Sequence, residues 1–164
     1  MEFRPAKQED IEEICKMVAA AILHMREQKI FQWDEIYPTK EDFLEDLQEN
    51  TLFVGAIEGE IAVTFTVNRT CDPEYGDGDW RYPDLTYRIV HRLCVHPRYQ
   101  GKGIAGRALA YMEETLRNKG VGAIRLDVFS KNPAAIALYT GHGYERRGVA
   151  VWRMGRFYLM EKRL

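Results

Sequence analysis

Between residues 93 and 109 the chain reads Leu-Cys-Val-His-Pro-Arg-Tyr-Gln-Gly-Lys-Gly-Ile-Ala-Gly-Arg-Ala-Leu, an apolar run that ends in a basic, glycine-punctuated turn and opens into a helical pattern. That order of residue types makes an anion site. Glycine lets the backbone come close to a ligand, the first N–H groups of a helix lack partners within it, and the helix dipole adds roughly half a positive charge. Phosphate or pyrophosphate is the natural occupant. Downstream, Asn132-Pro133 gives a helix start, with Asn as cap and Pro at the first helical position. Tyr139 follows seven residues after the cap, so two helical turns place both on about the same face.

Gly101-Lys102-Gly103-Ile104-Ala105-Gly106 also matches the dinucleotide fingerprint G-x-G-x-x-G, and Asp127 follows about twenty residues later, where a ribose-binding acid would stand. Three features oppose that reading. Pro97 to Gln100 separate the strand end from the first glycine, Asp127 lies inside an apolar run rather than at its tip, and the helix after it is very short. The triphosphate motif G-x-x-x-x-G-K-[ST] is absent, which removes support for kinase or ATPase chemistry. A tight turn before a helix would account for the glycines alone, yet not for Arg98 or for the segment from Asn132 to Tyr139.

The elements that must hold these residues follow from hydrophobic periodicity. From Asp10 onward, Ile11, Ile14, Val18, Ile22 and Met25 recur at helical intervals. An aromatic-rich connection, residues 30–38, contains Trp33, Tyr37 and Pro38, and Thr39 then caps a second helix carrying Phe43, Leu44 and Leu47. Leu52 to Ile57 and Ile61 to Val67 read as antiparallel strands joined at Glu58-Gly59-Glu60. Residues 71–84 are too long and turn-rich for a simple connection and read as a functional or mobile loop. A strand from Thr86 to Val95 leads into the glycine turn and a helix from about Ile104 to Lys119. Then come a buried strand, Ala123 to Phe129, the short helix after Asn132, and two last strands near Tyr144 to Trp152 and Arg156 to Lys162.

The turn and the Asn132 segment together resemble the GNAT superfamily of acetyl-CoA-dependent N-acetyltransferases. The family pattern [RQ]-x-x-G-x-[GA] is met by Arg98-Tyr99-Gln100-Gly101-Lys102-Gly103. The pattern Asn-x-x-Ala-x-x-Leu-Tyr-x-x-x-Gly-[FY] is met by Asn132, Ala135, Leu138, Tyr139, Gly143 and Tyr144. The resemblance spans nearly the whole chain in the order of its elements. It implies one domain over residues 1–164, of mixed α+β class, with a central, mostly antiparallel sheet of about six to seven strands flanked by helices. It also implies an acyltransferase, moving acetyl from acetyl-CoA to a primary amine of a small molecule or peptide by direct attack, with no metal.

By the same resemblance, N–H groups across Gln100, Gly101, Lys102, Gly103, Ile104, Ala105 and Gly106 hold the pyrophosphate, with Arg98, Tyr99 and Lys102 beside it. The backbone of Leu93, Cys94 and Val95 pairs with the pantetheine arm, one of its N–H groups polarising the thioester carbonyl. Asn132 and Ala135 contact the CoA arm, and Tyr139 is the general acid. His91 is a candidate base, placed by strand alternation on the face of Ile89, Leu93 and Val95. Cys94 reads as a small buried residue rather than a nucleophile. Trp33, Tyr37, Trp80 and Tyr82 are candidates for the acceptor pocket, with Trp152 near them and loop acids to attract a cation.

At 164 residues the chain suits a single core, and a formal net charge of -2 with 29% charged residues argues against a nucleic-acid partner. Cys15, Cys71 and Cys94 are an odd, widely spaced set that suits a reducing, cytoplasmic setting. No apolar run approaches the roughly 18 residues of a membrane span. The last strands are candidates for a homodimer contact.

Overall fold

The computed structural model describes residues 1–164. The elements run β1 (Glu2–Pro5), α1 (Ile11–Glu27), α2 (Lys40–Gln48), β2 (Leu52–Ile57), β3 (Glu60–Asn68), β4 (Tyr87–Val95), α3 (Ile104–Asn118), β5 (Ala123–Phe129), α4 (Pro133–Gly141), β6 (Glu145–Trp152) and β7 (Gly155–Arg163). The hydrogen-bonded strand order is β1-β2-β3-β4-β5-β7-β6. Pairs β1/β2, β2/β3, β5/β7 and β6/β7 are antiparallel, and β4/β5 is parallel. The seven strands and four helices match the expected mixed, mostly antiparallel class.

Contacts gather the chain into two compact units, one of residues 1–67 with 92–108, the other of residues 68–91 with 109–164. In the first, the periodic face of α1 buries Ile11, Ile14, Met17, Val18 and Ala21 with Phe43 of α2, Leu52 and Val54 of β2, Ile61 and Cys94. Both helices start as their sequence dictates. Asp10 takes a two-pronged bond from Arg4 at 2.7 and 2.9 Å and accepts from the Lys7 N–H, which ties β1 to the head of α1. Thr39 and Asp42 form a capping box on α2. Strand β1 was outside the sequence reading, because four residues ending in proline show no alternation.

In the second unit β5 pairs with β4 from Tyr87↔Ala123 to Val90↔Leu126, and with β7 from Ala123↔Arg163 to Phe129↔Phe157. One face of β5 carries Ile124, Leu126 and Val128, all buried. The opposite face carries Arg125 and Asp127, as a period of two requires. Residues 71–85 form a packed segment rather than a free loop. Tyr75, on a short 3-10 turn at Pro73–Asp77, is only 4% exposed and joins Ile89, Ala150 and Leu159, with Trp80, Tyr87 and Trp152 against them. Arg125 meets Glu161 at 3.0 Å, both buried, with its guanidinium over the rings of Trp80 and Tyr87. The other oxygen of Glu161 accepts from the N–H groups of Arg81 and Tyr82.

Candidate active site

The glycine turn belongs to the first unit. A 3-10 turn at Pro97–Tyr99 follows β4, and the His96 ring accepts from the Arg98 N–H at 3.1 Å. Gly101 and Gly103 have φ of 72° and 75°, the left-handed region where a side chain is strained. A Cβ built on either would meet nothing within 4 Å, so that side of the backbone is open to an incoming group. The first bond closing α3 is Arg107 N–H to Gly103 carbonyl, and the N–H groups of Ile104, Ala105 and Gly106 precede it. Open backbone, uncommitted N–H donors and a helix start fit a pyrophosphate.

Side chains around the turn engage one another. Arg98 hydrogen-bonds the Glu60 carboxylate and the Tyr99 hydroxyl and lies over the Tyr99 ring. Lys102 also stands over that ring, 5.5 Å from its centre. The basic groups thus converge on Tyr99, and the charge of Arg98 is already matched by Glu60. Gln100 donates to the Val95 carbonyl at 3.2 Å, which joins the turn to the end of β4. Cys94 is buried and burial pushes its thiol up to about 12, so it stays protonated and un-nucleophilic.

Arg92 carries a feature the sequence did not reveal. It has φ of 54° inside β4, a left-handed conformation that a regular strand does not contain. Its guanidinium pairs with Asp46, lies 3.9 Å from Asp42, and donates to the Tyr37 hydroxyl at 3.0 Å. Asp46 in turn accepts from Thr66 at 2.7 Å. Tyr37 is thereby tied to the strand that carries Leu93 to Val95, whereas Trp33 packs against the core.

In the second unit, Asn132 Oδ1 accepts from the Ala135 N–H at 3.1 Å, so the expected cap is present. Tyr139, 8% exposed, packs edge-on against Tyr144. Burial, with a further push from the Asp127 charge, holds its phenol protonated well above the ordinary tyrosine value. Asp127, weighed from the sequence only as a ribose-binding acid, has a different setting in the fold. Its half-buried carboxyl accepts from the Tyr75 hydroxyl at 2.7 Å and is pushed up to about 6, chiefly by burial, with Asp72 adding and the Tyr75 hydrogen bond opposing. The available signal was two charged residues, Arg125 and Asp127, on alternate positions of an otherwise apolar strand.

His91 Nε2 faces two acceptors, Asn68 Oδ1 at 3.0 Å and the Thr70 carbonyl at 2.9 Å. That nitrogen therefore holds a proton. Trp80 donates from Nε1 to the Tyr75 carbonyl at 2.8 Å, and Tyr82 lies among Arg81, Arg163 and Glu161. Both anchor the 71–85 segment.

Residues 19–144 match the model of the acetyltransferase (GNAT) family. The N-alpha-acetyltransferase RimI of Mycobacterium tuberculosis is 31% identical over 124 residues, 75% of this chain and 70% of that protein. An uncharacterised Mycobacterium leprae protein, ML0378, is 45% identical over 67 residues, 41% of this chain but only 18% of its own length. Among solved structures, a GNAT-family acetyltransferase from Streptococcus agalactiae superposes with a TM-score of 0.86 at 21% identity, covering 99% of this chain and 95% of that one, a likeness of fold. No helix is long and apolar enough to cross a membrane.

Proposed function

The chain belongs to the GNAT acetyltransferase family, and from that premise we propose that it transfers an acetyl group from acetyl-CoA to a primary amine by direct attack. The observation that carries the proposal is the pair of left-handed glycines opening onto the uncommitted N–H groups at the head of α3. Acetyl-CoA supplies the activated thioester. Gln100 to Gly106 would hold its pyrophosphate through backbone donors, leaving the side chains of Arg98 and Lys102 a lesser share because Glu60 and Tyr99 engage them. The backbone of Leu93 to Val95 would bind the pantetheine amides, and an N–H there would take the developing oxyanion.

Two side chains divide the proton chemistry. Asp127 is the better base, since a carboxyl raised to about 6 is ionised at neutral pH yet binds a proton more readily than an exposed aspartate. It accepts the proton of the acceptor ammonium, directly or through one water, as the nitrogen attacks the thioester carbon. Tyr139, held protonated, gives its proton to the sulfur as the carbon–sulfur bond breaks, and the second proton that the nitrogen loses on becoming an amide restores the phenol. The acceptor is a small-molecule or peptide amine.

Calorimetry with acetyl-CoA, CoA and NAD, followed by thiol release against an amine panel, tests this. Both CoA species are expected to bind, NAD not, and at least one amine to drive release. Absence of heat with either CoA species overturns the proposal, and binding without turnover on any amine reduces the chain to a CoA-binding module.

A further inference from the structure

The segment from Cys71 to Leu85 places one polar group where packing alone would put none. Tyr75 is buried among Ile89, Ala150 and Leu159, stacked on Trp80 at 5.8 Å between ring centres and tilted against Trp152 at 6.3 Å. A phenylalanine would fill that space equally well. The hydroxyl instead reaches across 52 residues of sequence to Asp127 Oδ2 at 2.7 Å. The segment is fixed where this contact needs it to be. Trp80 Nε1 holds the Tyr75 carbonyl, the Asp79 N–H donates to the Arg147 carbonyl at 2.7 Å, and Glu161 holds the N–H groups of Arg81 and Tyr82.

We propose that Tyr75 is a positioning residue of the acid–base chemistry: its phenol donates to Oδ2 of Asp127, orients the carboxylate, and favours its charged, proton-accepting form. The inference rests on the assignment of Asp127 as base. Physically, a half-buried carboxylate without a donor would be neutral near physiological pH and unable to accept a proton, whereas one with several donors would be too weak a base. Two neutral donors, the Tyr75 hydroxyl and the residue's own N–H, lie between these limits. When Asp127 takes the proton of the ammonium, Tyr75 keeps its own and continues to donate to Oδ2, so no net charge or proton passes through the tyrosine.

The charged and titratable groups around the pair are few in kind. Asp72, on the same segment as Tyr75, opposes ionisation of Asp127, as burial does, and Cys71 and Asp72 both act on Tyr75. Tyr139 of α4 feels the Asp127 charge. Arg125, two residues along β5, is committed to Glu161 and two aromatic rings. Of these, the Tyr75 hydroxyl is the one that hydrogen-bonds the carboxylate from another part of the chain, so its removal should be read most directly at Asp127.

Tyr75→Phe keeps the ring and its packing and deletes only the donor. Titration of the Asp127 carboxyl carbon by NMR, in the whole protein without substrate, is expected to move upward by about one to two pH units. In the kcat/KM profile the acid limb should move by the same amount, giving about a five- to fiftyfold loss at pH 6 and less than about twofold at pH 9. Agreement of the two shifts supports the proposal. An unmoved NMR titration overturns it whatever the kinetics show. A moved titration with an unmoved acid limb overturns the assignment of Asp127 as base, and with it the catalytic role of Tyr75, leaving the pair as a structural tie. Because the NMR measurement needs no turnover, failure of the acetyl-transfer reading itself is separately visible as a wild-type protein that releases no thiol.

Discussion

The glycine turn and the polar face of β5 are built on opposite principles. The turn is exposed, composed of backbone donors, and depends on what its residues lack: no Cβ at Gly101 or Gly103, and no intrahelical acceptor for the first N–H groups of α3. The β5 face is screened by residues 71–85 and depends on what particular side chains carry, a carboxyl at Asp127 and a hydroxyl at Tyr75. A ligand's phosphates can be held by any backbone of the right shape, so the first site tolerates sequence variety outside its glycines. Proton transfer needs one group of tuned affinity, and tuning needs burial and a specific partner. Binding and chemistry should therefore be separable by mutation.

The largest effect should come from Asp127→Asn, which removes the base without removing volume. We expect kcat/KM to fall by about 10²–10⁴-fold and the acid limb near pH 6 to vanish, while calorimetric affinity for acetyl-CoA stays within about threefold. Loss of affinity equal to the loss of turnover would break the separation. In the wild type the same group sets the sign: activity is expected to fall as pH drops through about 6, where Asp127 becomes protonated, and a pH–rate profile checks it.

Tyr139→Phe is next. The ring still packs against Tyr144, so the fold should persist, and kcat should drop by about 10²-fold. A leaving group of lower basicity needs less help. Replacing the acetyl-CoA donor by an acetyl thioester of a more acidic thiol should therefore recover much of the lost rate, and failure to recover it would argue that Tyr139 only packs.

The smallest of the three is Gly103→Val. A β-branched residue at φ of 75° costs about 1–2 kcal/mol locally, and affinity for acetyl-CoA should weaken by roughly tenfold or more while the acid limb stays in place. A displaced limb would show that the turn and the carboxyl are not independent.

Much of the architecture was legible before folding because it is written in local spacing. The α1 period, the Thr39 and Asn132 caps, the glycine turn and the strands from β2 onward each require only neighbours within a few residues, and the structure reproduces them within one or two positions at most ends. Strand β1 escaped because its stability comes from pairing with β2, between Glu2↔Ala56 and Pro5↔Phe53, rather than from its own pattern. The left-handed Arg92 escaped for a related reason. Nothing local favours φ of 54° at an arginine, and it is held by Asp46 on α2 and by Tyr37.

The sequence by itself determined the glycine turn: Arg98-Tyr99-Gln100-Gly101-Lys102-Gly103 specifies a backbone conformation, and backbone conformation is a short-range property of glycine spacing and helix termini. Tertiary structure alone decided the environment of each side chain. It turned Arg98 toward Glu60, made residues 71–85 a packed segment, placed two acceptors on His91 Nε2, and set Tyr75 against Asp127. Proton affinity depends on burial and on partners that lie dozens of residues away, so it exists only once the chain has folded.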